Sequence, residues 1–159
     1  VVNLGRPAGR SLADIAQYIE RDSTYGRLHA FLHGHRANPV VSDLDEAAGT
    51  LRIDGVKVRI LREKRNPAEI GWGRLGVRLV VDTTGKFLDP AADEADPKGS
   101  VRGHLAAGAE KVVVSAPFKA KDKSAPFPPD AVTTVMGVNG NDYDPRRHRI
   151  VSAASCSAA

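Results

Sequence analysis

Apolar residues near the N-terminus recur at helical spacing. Leu12, Ile15, Ala16 and Ile19 alternate with Asp14, Gln17 and Glu20, which predicts an amphipathic helix. Gly5, Pro7 and Gly9 break the chain before it, Ser11 is a fitting N-cap, and the helix is expected to end near Asp22. From His29 to Val41, and again from Leu51 to Leu61, β-branched and aliphatic residues alternate with polar ones. With Asp54-Gly55 as a hairpin turn, these runs predict antiparallel strands.

The second half has a different rhythm. Pro67 begins a short helical turn through Ile70, and Val77 to Val81 is apolar on nearly every residue, the signature of a strand buried in a parallel sheet. Asp89 to Ser100, with Pro90, Pro97 and Gly99, reads as a polar surface insertion. A helix over Val101 to Ala107 is stopped by Gly108, and Lys111 to Ser115 is a second buried strand. Strand, helix and strand thus follow in the order of a right-handed crossover. Lys119 to Pro129 is a charged, proline-rich loop; Thr133 to Val138 and Arg149 to Ser152 predict two further strands, and the small residues from Ala153 onward suit the start of a helix. The fold class is α/β: an incomplete Rossmann-type dinucleotide-binding domain, a mostly parallel sheet with an antiparallel excursion. The G-x-G-x-x-G turn that opens such a domain is missing, since Gly5 to Gly9 lacks the spacing.

Composition narrows the function classes. With 159 residues, 42% of them hydrophobic and 26% charged, the chain is neither disordered nor fibrous. No apolar run approaches the roughly 20 residues of a membrane helix, and no secretory signal opens the chain, so a cytoplasmic protein with no membrane partner is expected. The net charge of +4 and pI near 9.4 suit an anionic partner, but the basic residues are scattered. Phosphorylated metabolites account for them, and nucleic acid is not expected. Cys156 is the only cysteine, which excludes an intrachain disulfide and a cysteine-based zinc site. A lone cysteine is either a small buried hydrophobe or a nucleophile, and at the start of a helix the backbone N–H groups favour the reactive thiolate.

Taken in order, Asp22-Ser23-Thr24-Tyr25-Gly26-Arg27, Arg65 to Gly73, Asp82-Thr83-Thr84-Gly85-Lys86-Phe87, Ala107-Gly108-Ala109, Ser115-Ala116-Pro117, Val135-Met136-Gly137-Val138-Asn139 and Ser155-Cys156 resemble the glyceraldehyde-3-phosphate dehydrogenase family, in an atypical bacterial branch. The ordered set is far more specific than any one motif. The chain opens on Val1 and closes just after its cysteine, so both ends read as cuts within a longer subunit: residues 1–152 as a partial NAD(P)-binding domain lacking its first strand, and 153–159 as the start of the catalytic domain.

The resemblance implies an activity and a site. The activity is phosphorylating oxidation of glyceraldehyde 3-phosphate, with NAD or NADP and inorganic phosphate, through a thioester on Cys156, in a homotetramer. Ser155, Cys156 and Ser157 would bind the substrate; Asn3, Arg65, Thr84, Gly85, Phe87 and Ser115 would line the cofactor cleft. The family's histidine base lies in the second half of the subunit, so this chain alone is expected to be inactive. Erythrose 4-phosphate as substrate, or a truncated dinucleotide-binding module without activity, are the other readings. The chain departs from the family pattern at Tyr25 (histidine), Asn66 (aspartate), Leu4 (aspartate) and around the cysteine, where Ala153 to Ala159 reads AASCSAA.

Outside the resemblance, His29, His33 and His35 are read as strand histidines on one face, structural rather than metal ligands, and no metal site is expected. His148 is read as a surface residue, and Arg146-Arg147-His148-Arg149 as a solvated face.

Overall fold

The computed structural model describes residues 1–5, 11–122, 124 and 126–153. The chain divides into two compact units, Val1–Lys64 and Arg65–Ala159.

In the first unit, β1 (Val2–Asn3) is followed by α1 (Leu12–Glu20), the two-residue strands β2 (Arg21–Asp22) and β3 (Gly26–Arg27), α2 (Leu28–His33), β4 (Val41–Asp45), β5 (Thr50–Ile53) and β6 (Val56–Leu61). The sheet order is β1-β6-β5-β4, with β1 parallel to β6 and the other neighbours antiparallel. The hairpin turn falls on Asp54-Gly55, at φ of 49° and 77°; two consecutive positive values match the turn that follows the natural twist of the strands. α1 starts where expected, because Ser11 and Asp14 cap each other reciprocally. Glu46, from the β4–β5 connection, accepts the Leu12 N–H at 2.6 Å and is paired with Arg62. Leu12 and Ile15 on the buried face of α1 pack with Leu51 and Ile60 of the sheet, and Leu4, Ile19, Val41, Ile53 and Val58 close around them.

One expectation fails here. His29 to Val41 is not a strand: Leu28–His33 is helical and extended pairing begins only at Val41. Glu20 decides the local structure. Its carboxylate accepts the His29 N–H at 3.2 Å, contacts the His29 ring, and takes the Val40 N–H at 3.1 Å. One buried carboxylate thereby satisfies a donor of the first helical turn and orders the segment that leads into β4. Gly34, at φ 92°, ends the helix. His29 and His33 therefore sit a helical turn apart, on separate partners, Glu20 and Asp54.

In the second unit, β7 (Leu79–Asp82), β8 (Lys111–Val114), β9 (Ala131–Thr133) and β10 (Ile150–Ser152) form a parallel sheet in the order β7-β8-β10-β9. α3 (Val101–Ala106) joins β7 to β8, its N-cap Ser100 accepting from Gly103 N–H and Gly108 following at φ 100°. The observed fold is a Rossmann-type α/β arrangement, mostly parallel with an antiparallel excursion at β4–β6.

Three details correct the expectations. β7 is buried on one face only: Val80 and Asp82 point inward while Leu79 and Val81 are more than half exposed. β9 ends at Thr133, and the expected strand through Val138 is turned instead. Asn139 captures the Val135 N–H and the Thr133 carbonyl, and Gly137 stands at φ 80°. His148 is buried rather than on the surface: its Nδ1 accepts the Asp144 N–H at 2.9 Å and its ring lies beside Tyr143. The stretch from Asp89 to Gly99 is held down as well. Asp89, Asp93 and Asp96 each cap a local turn, and Pro90 is fully buried with its carbonyl bound by Arg102. Among the described residues no helix is long and apolar enough to cross a membrane.

Candidate cofactor-binding site

The parallel strands of the second unit end in register. Asp82 is level with Val114, which is level with Ser152, and the Ser115 N–H donates to the Asp82 carbonyl at 2.9 Å. The turn after β7 and the residue after β8 are therefore neighbours. In an open α/β sheet this carboxyl end of the strands is where ligands bind.

The turn itself is built by Asp82. Its Oδ1 accepts the Thr84 N–H at 2.7 Å, and the Thr84 hydroxyl accepts the Lys86 N–H at 3.3 Å. Gly85 has φ 65°, and a Cβ there would meet nothing within 4 Å; the turn exposes backbone to open space. Thr83 to Lys86 and Ser115 are exposed, whereas Phe87 is half-buried. Phe87 is held from behind: a Cβ on Gly99 would come within 2.8 Å of both the Phe87 ring and Pro67, so only glycine at that position lets the ring seat.

Beneath the turn lies a buried polar chain. Trp72 Nε1 donates to His104 Nδ1 at 3.0 Å, and His104 Nε2 lies 3.4 Å from Asp82 Oδ2. Phe87 meets the His104 ring edge-on at a centroid distance of 6.2 Å. Burial by itself would raise the Asp82 carboxyl, but hydrogen bonds from His104 and Thr84 outweigh it and hold the group below its ordinary value. None of Trp72, Asp82 and His104 stands out in the sequence as a site residue. The available signal is local: an aspartate closing an apolar strand two residues before a threonine favours an Asx turn.

Of the expected site residues, Thr84, Gly85, Phe87 and Ser115 come together at this end of the sheet. Arg65 is exposed, directly before the Asn66 cap. Asn3 belongs to the first unit, where its Nδ2 donates to the Lys64 carbonyl at 3.1 Å and its Oδ1 is enclosed without a hydrogen bond among the described residues. Ser155, Cys156 and Ser157 lie outside the described residues. Among the described residues no cluster of three or more His, Cys, Asp or Glu side chains offers a metal site.

No family model matches the chain. Curated relatives do. The chain is 40% identical to glyceraldehyde-3-phosphate dehydrogenase 1 of Streptomyces avermitilis over 146 residues, 92% of this chain and 35% of the relative. It is 37% identical to glyceraldehyde-3-phosphate dehydrogenase of Streptomyces coelicolor over 145 residues, 91% of this chain and 34% of the relative. To the enzyme of Geobacillus stearothermophilus it is 34% identical over 143 residues, 90% of this chain and 34% of the relative. The chain belongs to the glyceraldehyde-3-phosphate dehydrogenase family. It spans about a third of the length of these curated relatives.

Within the glyceraldehyde-3-phosphate dehydrogenase family, a family of oxidoreductases, the departures of this chain acquire local reasons. Asn66 keeps the cap that an aspartate makes, its Oδ1 accepting the Ala68 N–H at 3.1 Å, and adds a donor that a carboxylate lacks, Nδ2 to the Asp96 carbonyl at 3.2 Å. Leu4 packs against the core of the first unit. Tyr25 is 87% exposed, and nothing in the structure explains it.

Proposed function

We propose that this chain is the cofactor-binding portion of a phosphorylating glyceraldehyde-3-phosphate dehydrogenase, with 1–152 in the NAD(P)-binding domain and 153–159 opening the catalytic domain. The observation that carries this reading is the meeting of the Thr84–Gly85 turn with Ser115 at the carboxyl end of the parallel strands. β10, which leads in sequence to Ser155, Cys156 and Ser157, ends level with them. The site fits a dinucleotide: Gly85 leaves the approach open, and the exposed Thr84 and Ser115 hydroxyls offer hydrogen bonds.

When bound, the oxidised nicotinamide supplies a hydride acceptor. The residues of the chain do the rest of the chemistry assigned to it. The Cys156 thiolate attacks the aldehyde carbon of glyceraldehyde 3-phosphate, a C–S bond forms, and the carbonyl oxygen takes up a proton. Loss of that proton and departure of hydride from the same carbon leave a thioester on Cys156. An oxygen of inorganic phosphate then attacks the thioester carbonyl, the C–S bond breaks, and the thiolate is restored as the acyl phosphate leaves. Ser155 and Ser157 bind the substrate or the incoming phosphate. The base is assigned to a residue beyond this chain, in the second half of the subunit, where the family resemblance puts its histidine. NADP is accepted alongside NAD: Leu4 is turned to the core and presents no carboxylate to bind the adenosine ribose or repel a 2'-phosphate. Assembly as a homotetramer in the cytoplasm belongs to the same reading.

The test is reduction of NAD or NADP by the full-length protein with glyceraldehyde 3-phosphate, with and without phosphate, and with erythrose 4-phosphate in parallel. Phosphate-dependent reduction, fastest with the triose phosphate, is expected. No reduction with either sugar phosphate, or a rate indifferent to phosphate, rejects the reading.

A further inference from the structure

We propose that His104 is a positioning residue for the cofactor turn: acting through Asp82, with its tautomer set by Trp72, it holds the Thr84–Gly85 backbone in the conformation that receives the dinucleotide. The inference rests on the functional reading above and identifies which buried groups that site depends on.

The direction of each hydrogen bond follows from the chemistry of the groups. An indole N–H can only donate. Since Trp72 Nε1 donates to His104 Nδ1 at 3.0 Å, that nitrogen carries a lone pair, and the neutral ring holds its proton on Nε2. Nε2 is the atom that faces Asp82 Oδ2, at 3.4 Å. The other carboxylate oxygen, Oδ1, accepts the Thr84 N–H at 2.7 Å. The order is therefore Trp72 to His104 to Asp82, with Asp82 receiving from Thr84 at its far side.

The four residues come from separate pieces of the second unit. Trp72 opens the 3-10 turn Trp72–Leu75, His104 lies in α3, Asp82 closes β7, and Thr84 belongs to the turn. Trp72, Asp82 and His104 are each no more than 5% exposed. At that burial, a carboxylate deprived of its histidine donor must reorient or take up a proton, and either change weakens its grip on the Thr84 N–H. The same imidazole contacts the edge of Phe87. His104 thus touches both the carboxylate that shapes the turn and the aromatic side chain that follows it.

A core-filling role and a positioning role separate in two His104 variants of the full-length protein. His104→Leu keeps apolar volume and removes the donor; His104→Gln returns an N–H to the neighbourhood of Asp82. The readings are dissociation constants for NAD and NADP, KM for cofactor and for glyceraldehyde 3-phosphate, and hydrogen exchange at the Thr84 amide. The Leu variant is expected to bind cofactor about tenfold more weakly, with cofactor KM rising in step, the KM for the aldehyde unchanged, and Thr84 exchange accelerated. Gln is expected to recover most of the loss. Trp72→Phe, which frees the tautomer but keeps an aromatic ring beside His104 (ring centroids 6.0 Å apart in the unmodified protein), should fall between them. Unchanged cofactor binding or unchanged Thr84 exchange in the Leu variant overturns the proposal, as does an equal loss in Gln and Leu. If the unmodified protein binds neither dinucleotide, the functional reading fails instead, and Thr84 exchange in the same variants still decides whether His104 holds the turn.

Discussion

Gly108→Ala is a severe test of how the second unit is packed. Gly108 follows α3 at φ 100°, a conformation that costs a side-chain-bearing residue about 1–2 kcal/mol. A Cβ there would stand 2.7 Å from Gly73 N and 2.8 Å from Gly73 Cα. Both are backbone atoms, so no rotamer change relieves the overlap, and forced displacement of a packed segment costs a further ~1–3 kcal/mol. The shift also strains the Gly73 N–H to Ala107 carbonyl hydrogen bond of 3.0 Å, worth about 1 kcal/mol. The expected destabilisation is about 3–6 kcal/mol, a large part of the ~5–15 kcal/mol that holds a domain together. Gly76→Ala is the matched control, because Gly76 has φ 68° but open space where the Cβ would go; only the conformational cost of about 1–2 kcal/mol applies. Thermal unfolding of both variants of the full-length protein should show Gly108→Ala falling about three times as far as Gly76→Ala. Trp72 adjoins Gly73, so cofactor binding should weaken in the Gly108 variant alone. Equal melting temperatures for the two variants would refute the steric reasoning and leave backbone strain as the whole effect.

Cys156→Ser in the full-length protein should abolish turnover while leaving dinucleotide affinity within about twofold, since a serine hydroxyl is not ionised near neutral pH; retained turnover in a coupled assay removes Cys156 from the mechanism. This 159-residue chain by itself should produce no reduced cofactor above background with glyceraldehyde 3-phosphate and phosphate. Titration with both dinucleotides should show binding of NADP as well as NAD, and detectable binding of NAD alone would contradict the role given to Leu4. Burial would raise the Glu20 carboxyl, but its bonds to His29 and Val40 hold it below its ordinary value of 4.5. A depressed folded-state value contributes stability above the unfolded-state value and loses it as pH falls through the folded one. Glu20→Gln, which resembles the protonated acid, should therefore lower the melting temperature near pH 7 and converge on the unmodified protein as the pH falls through and below the lowered folded-state value; a gap that persists in strong acid would contradict this.

What could be read from the residues alone was the local punctuation. Ser11 with Asp14 starts α1, Asp54-Gly55 turns the hairpin, Pro67 opens a tight turn, and Gly108 stops α3. Each is a preference of φ, or of a side chain bonding to backbone within a few positions, and so is written in consecutive residues. The ordered motifs likewise pointed to the family and to the turn after β7, because Thr84, Gly85 and Ser115 are neighbours of strand ends that hydrophobic runs mark. Tertiary structure decided what depends on partners distant along the chain. Leu28–His33 is helical with Glu20, from the end of α1, accepting the His29 N–H, and the same carboxylate takes the Val40 N–H twenty residues on. The same holds for the chain from Trp72 through His104 to Asp82. Its members are separated by enough sequence that no spacing rule joins them, and only the packing of α3 on the turn at Pro67 and on β8 brings the indole, the imidazole and the carboxylate into line. A hydrogen bond needs its partner within about 3 Å, and for buried groups far apart in the sequence that distance is set by the fold and not by the residues beside them.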